Sequence, residues 1–137
     1  MDAGSWFDAR FAHELVPTLR QWARAVGDRG MLLEVKRPSL YPGIEQDLVA
    51  ELAAVPSLRR AVSEQRVVVQ SFDHDALARF KELAPEVPVG LLFGAHPSRA
   101  QLRVAASWAE QVNPSLKVST RRLVRAAHEL GLQVNVW

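Results

Sequence analysis

From the middle of its first third onward, short segments with the two-residue period of a strand alternate with segments of helical period, and this alternation limits the fold more than any other feature of the chain. "MLLEVK", "RVVVQSF", "VPVGLLFG" and "LQVNVW" read as strands, with a brief extended piece near "EQVNP". The segments between them read as helices. "PTLRQWARAVGD", with Pro17 in its first turn, precedes the first strand. "GIEQDLVAELAAV" aligns Ile44, Leu48, Val49 and Leu52 on one stripe before Pro56 breaks or kinks it. "DHDALARFKELAP" opens on an Asp cap, a further helix is expected around 98–109, and "STRRLVRAAHELG" has a Ser or Thr cap and Gly131 as its stop. Strands and helices in this order predict a parallel sheet with crossover helices, doubly wound or closed into a barrel.

Side-chain parity favours the barrel. Glu34 and Lys36, Gln70 and Phe72, and Asn135 and Trp137 share one face of their strands; Leu33 and Val35, Val69 and Ser71, and Val134 and Val136 share the other. A branched face under helices, with a polar or aromatic face at the strand ends, suits the interior of a (β/α)8 barrel. No Gly-rich phosphate loop follows the first strand, which weakens a dinucleotide-binding reading. Glu34 and Lys36 have two readings at this stage. On an open face they are an ordinary solvated pair; in a barrel interior they need a cation, an anion or each other.

Composition excludes several classes. The 137 residues, 48% hydrophobic and 23% charged, suit one globular domain spanning 1–137. Without cysteine there is no disulfide, thiolate nucleophile or Cys-based zinc site. Seventeen basic and fifteen acidic residues leave a formal net charge of +2, and no Lys/Arg run of the kind that tracks nucleic acid is present, so no nucleic-acid partner is expected. No apolar run reaches the roughly 18 residues of a membrane span.

The segments "LLEVKRPSLYPGIEQDLVAEL", "VVVQSFDHDALARFKELAPEVPVGLLF" and "LVRAAHELGLQVNVW", with "DAGSWF" and "VPTL" near the start, resemble the glycerophosphodiester phosphodiesterase family in order and spacing. The resemblance implies a TIM-type barrel that hydrolyses glycerophosphodiesters to glycerol 3-phosphate and an alcohol, with a bound divalent metal, Ca²⁺ or Mg²⁺. By similarity Glu34 is a metal ligand, Lys36 a cation on the phosphate side, and Phe72 and Trp137 line the substrate pocket. A hard carboxylate oxygen suits either ion, and an adjacent ammonium suits an anionic transition state.

The chain also departs from the family pattern. The His-Arg-Gly and Glu-x-Asp strands and the following His-Asp pair, which carry the family's catalytic histidines and remaining metal ligands, are absent from the sequence. No catalytic residue is therefore assigned; His74, His96 and His128 fall at a helix start, in a loop and in a last helical turn, and His13 stands where the family often has glycine. Roughly five of eight βα units are expected: a partial barrel, an internal piece of a phosphodiesterase domain inactive alone. Its exposed edge strands would favour self-association. A non-catalytic phosphodiester-binding or barrel-complementing chain is the alternative.

Overall fold

The computed structural model of the chain describes residues 2–137. Strands β1 (Met31–Glu34), β2 (Val67–Ser71), β3 (Val89–Phe93), β4 (Gln111–Pro114) and β5 (Gln133–Val134) form one sheet in the spatial order β1-β2-β3-β4-β5, every pair parallel. Helix α1 (Leu19–Val26) precedes β1; α2 (Ile44–Ala54) and α3 (Pro56–Ser63) fill the first crossover, and α4 (His74–Leu83), α5 (Arg99–Ala106) and α6 (Arg121–His128) fill one each thereafter. Spatial order equals chain order. Right-handed crossovers then place all connecting helices on the same face, whereas a doubly wound sheet needs a reversal of order that is not found here. The sheet is an arc of a TIM-type barrel, with one edge on β1 and one on β5 that no strand pairs among the described residues.

Local chemistry sets the helix limits. Thr18 and Ser98 each form a capping box, with Gln21 and Gln101; Asp73 accepts from the Ala76 N–H and Thr120 from the Leu123 N–H. Because Thr18 is the cap, Pro17 lies outside the helix instead of in its first turn. Val55 ends α2 and starts α3, with Pro56 supplying the second helix's first residue. The helix expected at 98–109 stops at Ala106. The extended piece near "EQVNP" is a full strand with neighbours on both sides. By contrast β5 is only two residues long, although Asn135 N and Trp137 N still donate to the Val112 and Pro114 carbonyls.

The helix-covered face holds the core. Val67, Val69, Val89 and Val112 are buried with Leu58, Leu77, Phe80, Leu102 and Leu123, each such side chain contributing about 1.5–3 kcal/mol on leaving water. Two ion pairs brace it. Arg79 of α4 holds the buried Glu45 of α2 through two contacts of 2.6 and 3.0 Å. Glu110 accepts from Lys81 at 2.7 Å and from the Val89 N–H at 2.8 Å, closing the start of β3.

The opposite face is a barrel interior. Register aligns Glu34, Gln70, Gly90, Gln111 and Gln133 in one row across all five strands. Gly90 is the gap in that row. Through it the buried Asn113 passes its Nδ2 to Gln70 Oε1, 2.8 Å away. Gln111 meanwhile donates to Gln133 at 3.1 Å and accepts from Asn135 at 2.9 Å. A Cβ on Gly90 would lie 2.5 Å from Asn113 Nδ2 and 3.2 Å from its Cγ. Gly90→Ala should therefore expel the amide and cost about 1–3 kcal/mol in urea unfolding. In an Asn113→Ala background the same substitution should cost clearly less; equal costs would show that the glycine does not serve the amide.

Candidate functional site

The predicted site residues all lie at the C-terminal ends of strands on the inner face. Glu34 ends β1, and Val35 N–H bonded to the Gln70 carbonyl at 2.9 Å keeps the chain extended so that Lys36 falls on the same side. Arg37 then adopts a left-handed conformation (φ 47°) and Pro38 turns the chain away. Lys36 Nζ stands 3.9 Å from Glu34 Oε2 on an exposed edge. That distance is too long for a hydrogen bond, and an exposed pair of this kind contributes little to stability. Both charged groups keep their hydrogen-bonding capacity for something else.

A second pair forms further along the sheet. Phe72 and Trp137 meet edge to face, with ring centroids 5.4 Å apart and planes at 88°. Trp137 is fixed by its own hydrogen bonds: Nε1–H donates to the Asn113 carbonyl at 2.9 Å, and its carbonyl accepts from the Leu116 N–H at 2.7 Å. About half of each residue is exposed, so the corner is open to a ligand. Behind it the buried Ser71 donates to the Val35 carbonyl at 2.7 Å and accepts from the Asp73 N–H at 3.0 Å, tying the end of β1 to the start of α4.

The histidines are used elsewhere. His74 Nε2–H donates to the Leu92 carbonyl at 3.0 Å and its ring packs on Phe93; His96 lies in a groove between α5 and α6; His128 is exposed in the last turn of α6. His13 has φ +70°, which explains why glycine would suit its position. Its N–H, with those of Gly4 and Ser5, donates to the Asp2 carboxylate, and these three bonds hold Asp2 well below the usual carboxylate range. Asp2 thus organises a loop whose exposed Trp6 and Phe7 rings stack edge to face.

Glu34 is an isolated candidate ligand. Among the described residues no group of three or more His, Cys, Asp or Glu could hold a metal ion, and a hard cation such as Ca²⁺ takes six to eight oxygens. The residues described do not by themselves fit the ion. Along the free edge of β1 runs a groove of about 530 Å³, with Leu33, Val35, Tyr41 and Leu48 as its apolar lining and Glu34 and Lys36 at the strand end. On its helix side Arg20 binds Glu51 at 2.6 and 2.8 Å and lowers that carboxyl's pKa.

Comparisons with known proteins converge. A family model described as the glycerophosphoryl diester phosphodiesterase family matches residues 1–137. A glycerophosphodiester phosphodiesterase of Caldanaerobacter subterraneus is 35% identical over 96 residues, covering 68% of this chain and 37% of that protein. One of Bacillus subtilis is 28% identical over 145 residues, 96% of this chain and 50% of that protein. The solved structure of an Oleispira antarctica phosphodiesterase in complex with the product sn-glycerol-3-phosphate superposes with a TM-score of 0.76 at 26% identity, covering 99% of this chain and 54% of that one. The chain spans about half the length of the curated relatives it matches.

Of the four predicted residues, the structure joins Phe72 to Trp137 and places Lys36 beside Glu34. The parts that sequence reasoning passed over are the supporting ones, Asn113, Gly90 and Ser71. Phe72→Ala should remove an aromatic contact worth about 0.5–1.5 kcal/mol beyond its area. In an ¹⁵N correlation spectrum it should shift chiefly one indole N–H signal, the one that Trp137→Phe deletes. An unmoved signal would mean that the two rings do not meet in solution.

Proposed function

The chain belongs to the glycerophosphoryl diester phosphodiesterase family, and on that premise we propose that it forms one side of a phosphodiesterase barrel that hydrolyses glycerophosphodiesters to glycerol 3-phosphate and an alcohol. The observation that carries this reading is the placement of Glu34, Lys36, Phe72 and Trp137 at strand ends on the one polar face of the sheet. The product bound by the Oleispira antarctica relative supports the substrate class.

In this reading Lys36 binds a phosphoryl oxygen, a role its loose contact with Glu34 leaves open. Phe72 and Trp137 form an apolar wall that limits water beside the substrate. Family members generally depend on a divalent metal, which supplies Lewis-acid chemistry when bound. Glu34 is proposed as one of its ligands. In this reading the other carboxylates and the acid–base histidines of the family pattern, which the 137 residues do not contain, would be supplied on strands paired with the free edges of the sheet. The open edges equally suit the second reading, in which the barrel is completed by another chain; without it the edges self-associate.

Purified 137-residue chain should hydrolyse glycerophosphocholine no faster than free metal does, since a missing acid or base alone costs about 10²–10⁴ in rate. Metal-dependent turnover by this chain would overturn the division of the site. Addition of a polypeptide carrying a family member's two N-terminal strands and its last strand should restore turnover, and dynamic light scattering should show concentration-dependent association only in its absence.

Calorimetry offers a separate check on Glu34. The isolated chain should bind Ca²⁺ or Mg²⁺ no more tightly than roughly millimolar. Tight stoichiometric binding that survives Glu34→Gln would place the metal elsewhere.

A further inference from the structure

The modest net charge conceals a strongly uneven distribution. Between residues 99 and 128 there are six Lys/Arg and a single carboxylate, Glu110; the rest of the chain has eleven Lys/Arg against fourteen Asp/Glu. Glu110 is not available to them, because Lys81 and the Val89 N–H occupy it. Arg99 stands 3.7 Å from Glu129, while Arg103, Lys117, Arg121, Arg122 and Arg125 form no ion pair among the described residues.

The fold gathers the five arginines among these cations on the outer surface of two neighbouring helices, α5 and α6. Leu102, Ala105, Leu123 and Ala127 turn the apolar stripes of α5 and α6 into the core, so the arginines point to solvent. Arg99, Arg122 and Arg125 line a groove of about 300 Å³ between the helices, with Glu129 at its side. Arg121 and Arg125, with His128, line a shallow depression on the other flank of α6, which Glu129 also borders.

We propose that this α5–α6 face is a docking surface for an anionic phospholipid bilayer. Charge complementarity carries the proposal: several guanidinium groups without carboxylate partners gain most from a surface dense in phosphates, each able to take two N–H donors. The binding is peripheral and electrostatic. Both apolar helix stripes are already buried, so neither helix can lie in the headgroup layer as an amphipathic anchor does, and no helix is long and apolar enough to cross a membrane among the described residues. Single-stranded nucleic acid fits less well, since the only Phe, Tyr or Trp between 99 and 128 is the half-buried Trp108, which leaves no ring on which bases could stack. One chemical consideration rests on the phosphodiesterase reading above: a glycerophosphodiester is what remains when both acyl esters of a glycerophospholipid are hydrolysed, so the reaction that supplies the substrate takes place at such a surface.

The test uses the 137-residue chain without substrate, so its outcome does not depend on whether the chain is part of a phosphodiesterase. Co-sedimentation with phosphatidylglycerol vesicles should be strong at low ionic strength, absent with pure phosphatidylcholine, and lost by about 0.5 M NaCl, where charges are screened within a few ångströms. Replacing Arg121, Arg122 and Arg125 together by Gln should lower partitioning about tenfold or more, with an unchanged circular dichroism spectrum. Removing equal charge elsewhere, through Arg24→Gln, Arg29→Gln and Arg59→Gln, should change it by less than about twofold. Similar losses in the two triple variants, binding that persists in high salt, or tighter binding to duplex DNA than to the vesicles would each overturn the proposal.

Discussion

Register across the parallel sheet is the constraint on which the rest of the molecule depends. Each strand must turn its branched residues toward the helices, and a slip of one residue would exchange that face for the polar one. Once the core face is set, the alignment of Glu34, Gln70, Gly90, Gln111 and Gln133 follows. Every candidate site residue inherits its direction from this row. The energy that holds the row is spent on the other side of the sheet, where Val69, Val89 and Val112 are fully buried.

The polar face is built differently from the core. Its amides satisfy one another from strand to strand: Gln70 with Asn113, and Gln111 with both Gln133 and Asn135. Asn113 is the central member, because its main-chain carbonyl also receives the Trp137 indole. Its Oδ1 is the one buried side-chain polar atom without a partner among the described residues. An unpaired buried acceptor costs about 1–3 kcal/mol, a cost the fold accepts on the face that carries the candidate site and not in the core. The open pair at the end of β1 and the aromatic corner at the ends of β2 and β5 thus stand on a floor of uncharged hydrogen bonds.

Charge follows the helices. On the α2 side two of the three acidic groups are engaged, Glu45 by Arg79 and Glu51 by Arg20. On the α5–α6 side every basic group but Arg99 lacks such a partner among the described residues, and the contrast gives the molecule two electrostatically distinct surfaces despite a formal charge of +2. The inner face, lined mainly by amides, contributes little to either.

Element type, order and parity were legible in the residues because they are local properties: a strand shows its two faces within a few positions, and Asp73 and Thr120 announce the starts of their helices. The family pattern was legible for the same reason, as short motifs in a fixed order. What only the tertiary structure decided are relations between distant positions. Asn113 meets Gln70 across 43 residues of chain, through a space that exists only because residue 90 has no side chain. Phe72 reaches Trp137 because the strands between them bend into an arc. The basic surface likewise escapes a search for charge runs, since its arginines are interleaved with the apolar residues of two helices and come together only when those residues are buried. Periodicity is set by the backbone of one segment, whereas contacts of this kind depend on register, curvature and packing, which no single segment contains.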